Sequence, residues 1–365
     1  MVEGDGSGWN RGNQNLRNFR NAIDVNRRHD IPWMVESGWD LSGTNRPAAY
    51  LPPVGHLSTG PSGLTYNPGT GLAQKWDNHF FICDYRGGKS GVIAFEMSPA
   101  GASYSVAREE TFIQGLLNTD MEFGYDGRVY VSDFTGSWNT YDLGAIYVFE
   151  NPDELAKPVT GQVRTLFADG FDQRPADELA KLLGHQDQRV RQRAQFALAK
   201  DPKSLPILLE AVSLNRPILT RLHGLWGLGQ LARKHQNEIA LNVLSSLTLD
   251  SNWHIRGQAA QALGDSLPSK HREVLLLQLK TEQNPNTRML AAIALGKAGN
   301  PDDIPALVSV LEDNKPADAY LRHGAVHALE LIAKASGSAD AIVALKSHPS
   351  REVRLGAVLT LRRLQ

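Results

Sequence analysis

Cysteine is nearly missing: Cys83 stands alone in 365 residues, so no disulfide forms within the chain. Neither sign of charge is in excess. A net charge of −1 at pH 7 supplies no global field for nucleic acid or an acidic membrane surface. No apolar run reaches the roughly 18 residues of a membrane span. The opening Met1-Val2-Glu3-Gly4-Asp5 lacks the basic start and apolar stretch of a signal peptide. What is present is length for two domains or more, and a shift in composition. Tryptophan, tyrosine and glycine concentrate before residue 170; Ala, Leu, Arg and Gln dominate afterwards. Asp169-Gly170 marks the break within 166–175.

Residues 119–150 alternate apolar and polar side chains through Met121-Glu122-Phe123. They then turn at Tyr125-Asp126-Gly127 and resume at Val129-Tyr130-Val131, with a further apolar strand at 145–149. The same pattern occurs upstream. Ser62 to Tyr66 matches Thr119 to Phe123, His79 to Tyr85 matches Arg128 to Phe134, and Gly91 to Phe95 matches Gly144 to Val148, at offsets of 49 to 57 residues. Residues 104–110 would form an outer fourth strand. Units of this spacing read as two β-propeller blades, 59–118 and 119–168, in a partial propeller spanning 1–168. A propeller has about four to eight blades, so further blades are expected ahead of this chain.

Residues 1–58 read as a long loop region with a short helix near 16–27, carrying Trp9, Trp33, Trp39, Tyr50, Pro52-Pro53 and His56. His56, Asp84, Arg86, Lys89, Asp120 and Asp133 stand where strands end, and loops at one end of a propeller converge on a pocket. For Asp84 and Asp133 the commoner use is structural, in Asx turns that hold a blade together. Gly88-Lys89-Ser90 is not a phosphate loop, because Cys83 stands where the first glycine is required and no helix follows. His323 and His327 are spaced i, i+4, but no glutamate follows the first and no third ligand accompanies them. No metal site is therefore assigned.

Arginines 191, 221, 256, 288, 322 and 354 recur at gaps of 30, 35, 32, 34 and 32 residues. Three residues after each stands Ala or Gly (194, 224, 259, 291, 325, 357), and seven after each stands leucine (198, 228, 263, 295, 329, 361), all on one helical face. Four residues before each stands Asp187, Pro217, Asn252, Asn284, Asp318 or Ser350, which suit a helix start. Shorter apolar helices lie between. About six helix pairs over 175–365 predict a right-handed α-solenoid resembling HEAT repeats of a short kind, with the arginines as a structural ladder between neighbours. The last helix ends on Leu359, Leu361 and Leu364 without a polar cap, so a further partner or domain is expected beyond it. The fold class is thus two-domain, all-β then all-α: a partial β-propeller followed by a HEAT-repeat α-solenoid.

The runs GPSGLTYNPG (60–69), WDNHFFICDYRGGKSGVIAFEM (76–97) and TDMEFGYDGRVYVSDF (119–134) resemble the closing blades of glucose/sorbosone dehydrogenase propellers. The order propeller then HEAT resembles large secreted bacterial proteins known as membrane-bound dehydrogenases, the PVC-type haem-binding proteins. That resemblance implies oxidation of a sugar or related alcohol by hydride transfer to pyrroloquinoline quinone, with calcium, and passage of electrons to a c-type haem in a further domain. It also implies an extracytoplasmic location, periplasmic or secreted. Arg86, with Lys89 and His56, would be the local cofactor-binding residues. Leu117 and Thr119 stand where two quinone-binding arginines belong, the catalytic blades are not in this chain, and no CxxCH motif occurs. The competing expectation is a non-catalytic module that binds protein along the solenoid or carbohydrate through the first-loop tryptophans.

Overall fold

The computed structural model describes residues 51 to 364, apart from 52, 53, 56, 59, 87, 88, 136–142, 267 and 315–317. Four strands, β1 (Pro61–Tyr66), β2 (Phe80–Asp84), β3 (Gly91–Ala100) and β4 (Ser103–Gln114), form an antiparallel meander in chain order. A second meander follows with β5 (Asn118–Phe123), β6 (Val129–Asp133) and β7 (Ala145–Phe149). The two-residue period decides what is buried: Met121, Phe123, Val129 and Val131 are enclosed while Glu122 faces solvent. β1 lies beside β5, where the Ser62 hydroxyl donates to the Asn118 carbonyl at 3.2 Å. Phe81 joins the two sheets, with its ring centroid 4.7 Å from Phe112 and 5.6 Å from Phe123. The strand pairing agrees with the expected meanders, and β4 occupies the expected fourth place. Among the described residues, however, the two sheets do not close into a propeller; what they establish is a sheet-rich N-terminal part.

The second unit does not extend to 168 as expected. The chain turns helical at α1 (Pro152–Leu155) and α2 (Pro158–Asp169), which ends at Gly170 with φ 80°. Pro152 and Pro158 each open a helix, where the lost N–H has no intrahelical partner anyway.

Six helix pairs follow: α3 (Ala176–Leu182) with α4 (Gln188–Leu198), α5 (Leu205–Ala211) with α6 (Ile218–His235), α7 (Glu238–Leu247) with α8 (Trp253–Gly264), α9 (Arg272–Thr281) with α10 (Pro285–Ala298), α11 (Ile304–Asp313) with α12 (Ala319–Ser336), and α13 (Asp340–Ala344) with α14 (Arg351–Arg363). The six residues picked out four places before the arginines are the six N-caps of the second helices. The small residues three places after the arginines are buried. At Gly224 a Cβ would stand 2.8 Å from the Ala211 Cβ, so the backbones of α5 and α6 meet closer than any side chain permits. One hydrophobic core runs through the whole stack, from Val163 on α2 to Ala357 on α14.

Candidate functional site

Of the expected cofactor residues, Arg86 and Lys89 lie among the described residues. Arg86 forms an ion pair with Asp84 through Nε, and its backbone N–H donates to the Ser90 hydroxyl at 2.7 Å. Asp84 is buried and accepts from the Ser58 hydroxyl at 2.6 Å and the Gly60 N–H at 3.2 Å. The carboxylate thus closes the entry to β1 against the end of β2, the structural role of the two weighed for it. Lys89 is exposed, and His56 lies outside the described residues, as do Trp9, Trp33, Trp39 and Tyr50. Thr119 bonds Ser132 at 2.8 Å, and the Leu117 carbonyl accepts from Phe134 at 2.9 Å. Among the described residues of this set, Arg86 is already paired with a buried carboxylate, which lowers its fit to a quinone bearing several carboxylates. Among the described residues no cluster of three or more His, Cys, Asp or Glu could hold a metal ion.

The repeated arginines work between repeats. Both terminal nitrogens of Arg221 engage Asp250, and its Nε donates to the Val212 carbonyl at 3.1 Å. Arg256 grips Glu282 with two bonds of 2.7 and 2.8 Å and donates to the Asp250 and Ser251 carbonyls. Arg288 reaches Asp313 at 2.9 Å, and Arg322 lies 3.6 Å from Glu352. Arg191 and Arg354 instead tie down the turn ahead of their own helices, at His185 and Gln186, and at His348 and Pro349. The ladder is therefore real, but its acidic rungs are carboxylates beside the caps rather than the cap side chains. Burial alone would raise the Glu282 carboxyl; the hydrogen bonds and charge of Arg256 outweigh it and hold the group below its ordinary range. His323 and His327 stack at 6.2 Å, but Arg363 lies 3.0 Å from His323 Nδ1, a cation where a metal pair would need a third ligand.

A built polar joint that sequence reasoning missed lies where the sheets meet the first repeat. Asp187, the buried N-cap of α4, accepts from the Thr70 hydroxyl at 2.6 Å and from Arg189 Nη2 at 2.8 Å. Arg189 Nη1 donates to the Phe123 carbonyl at 2.6 Å, and its guanidinium lies 4.9 Å from the Tyr125 ring centroid. Tyr125 in turn stacks on Phe167 of α2 at 3.8 Å. Burial pushes the Asp187 carboxyl up, but Arg189 and the Thr70 hydroxyl together bring it below its ordinary value. The β3–β4 turn makes a second landing, with Asn286 Nδ2 donating to the Ala102 carbonyl at 2.9 Å and the Ala102 N–H donating to Asp318 at 2.7 Å. Asp187 and Asp318 were legible as caps; their second bonds were not.

The HEAT-repeat family model matches residues 176–264 and 241–330, the helical region whose geometry has just been described. That region consists of HEAT repeats. No curated protein matches the chain. Among solved structures, an engineered protein is 19% identical over 53% of this chain and 97% of its own, with a TM-score of 0.34. The complex of CpcE and CpcF of phycocyanin lyase from Nostoc sp. PCC7120 is 17% identical over 51% of this chain and 75% of its own, at 0.35. AlkD2 from Streptococcus mutans is 17% identical over 55% of this chain and 97% of its own, at 0.31. At such scores these likenesses assign no activity, and the HEAT assignment rests on the repeat itself.

Proposed function

We propose that the chain is a protein-interaction scaffold, a HEAT solenoid carrying a docked sheet unit. The observation that carries this reading is how the charged groups are used. The repeated arginines and Arg86 are consumed by internal contacts, while apolar side chains beside the second and third repeats remain uncovered. Leu214 and Leu249 are 75% and 67% exposed, with Ile218 and Leu219 between them in the chain. Uncovered apolar positions grouped in neighbouring turns are what a protein partner would cover. A second reading, part of a dehydrogenase-like propeller, draws support from the two successive meanders with an aspartate ending the second strand of each, Asp84 and Asp133.

Affinity capture from the source cells with the intact chain, beside a Leu214→Glu/Leu219→Glu variant, tests the scaffold. The expected result is a defined partner retained by the parent and lost by the variant at unchanged thermal stability. Absence of such a partner, together with quinone- and calcium-dependent alcohol oxidation by a longer protein that contains this chain and the catalytic blades, lost on Arg86→Ala, would overturn it in favour of the second reading.

A further inference from the structure

A HEAT stack is nearly one-dimensional, since each pair touches only its neighbours, and bending along the stack is its soft motion. This chain adds contacts that skip repeats. The loop after β1 and the β5–β6 turn land on the first pair, at Asp187, Gln188 and Arg189. The β3–β4 hairpin leaves the same end of the sheet. β2 stops pairing at Phe80 opposite Phe95, so residues 96–100 project alone with β4, over about 17 Å at strand rise. A register shift between Glu96 and Met97 sits where the arm departs, the kind of bulge that bends and twists a strand pair.

The arm ends in a fitted seat. Gly101 adopts φ 58°, and a Cβ there would stand 2.1 Å from Asp318 Oδ2. Ala102 is 1% exposed and belongs to the core of the solenoid rather than to that of the sheets. Its N–H and carbonyl are both bonded, to Asp318 of the fifth pair and Asn286 of the fourth. Asp318 divides its oxygens: Oδ1 caps α12 through the Tyr320 and Leu321 N–H groups, and Oδ2 holds the arm.

We infer that the β3–β4 hairpin is a strap that ties the first repeat to the fourth and fifth and fixes the curvature of the solenoid. The strap makes distant repeats report on one another whatever the scaffold binds.

Spin labels at exposed Gln192 on α4 and Val358 on α14 read that curvature as a distance distribution, with buried Cys83 out of reach of the reagent. Asp318→Asn combined with Asn286→Asp keeps a capping oxygen on α12 but sets donor against donor and acceptor against acceptor at Ala102. Gly101→Val removes the seat by bulk and leaves the solenoid sequence untouched. In both variants the Ala102 amide should exchange at least about tenfold faster and the label distance distribution should broaden, with helicity unchanged. A freed Ala102 amide with an unchanged distribution would overturn the strap. So would an Ala102 amide that stays protected in both variants, because the seat would then not be what holds the arm.

Discussion

Arg221 and Lys270 each pair with a carboxylate of a neighbouring repeat, yet water sees them differently. The Arg221 and Asp250 side chains are 6% and 4% exposed, whereas those of Lys270 and Glu238 are 53% and 57% exposed. Removing one partner of a buried pair strands the other charge in a poor solvent and costs about 3–5 kcal/mol. Truncating an exposed pair costs at most about 1 kcal/mol, because solvent replaces the contact. Arg221→Met should therefore lower the denaturant midpoint strongly, and Lys270→Ala should hardly move it. Comparable effects would mean that the ladder is not buried as described. Recurrence made these arginines legible in the sequence. The identity of Asp250, Glu282 and Asp313 as partners was not: the first two stand six residues before the next arginine, but Asp313 stands nine before it, and the residue type changes between Asp and Glu.

At the scale of elements, the caps are unequal although their positions are equivalent. The Asn252 side chain accepts from the N–H groups of His254 and Ile255, while Ser350 makes no capping bond. Asn252→Ala should cost about 1 kcal/mol, and Ser350→Ala close to nothing, in equilibrium unfolding. Equal losses would show that position rather than the side-chain bond stabilises the helix start. Helix starts and the buried stripe were readable because both are local: a cap, then a small residue, then leucine within one helix. The two sheet meanders were readable for the same reason, through period-two alternation around a tight turn. Helices α1 and α2 escaped because their prolines double as breakers and as first-turn residues. The bond from Ala102 to Asp318 joins residues 216 apart in the chain, and no spacing rule records such a contact. The pairing of Arg86 was hidden for another reason. Arg86 stands just past the strand that ends at Asp84, and a list of residues at strand ends does not show that these two neutralise each other.

For the molecule as a whole, burial of neutral histidines sets how stability responds to acid. Burial, then the nearby Arg191, lowers His223 to about 4; burial, then Arg363, lowers His323 to about 4. Both would titrate near 6.5 in the unfolded chain, so the unfolded state binds more protons between those values. The stability they contribute is fully present above about pH 6.5 and is lost as pH falls toward 4. Asp187, Glu282 and Glu330 are held below their ordinary values despite burial, so their contributions persist through that window and are lost only at lower pH. Acid unfolding should thus begin a full pH unit or more before the carboxylates titrate. His223→Gln keeps a hydrogen-bonding group near Gln195, now 2.7 Å from His223 Nδ1, and removes the titration. The stability lost between pH 7 and 5 should then shrink by about 2 kcal/mol relative to the parent, the share of one such histidine over that interval. Urea titrations at the two pH values measure it, and parallel losses in parent and variant would mean that His223 takes up its proton without leaving the folded state.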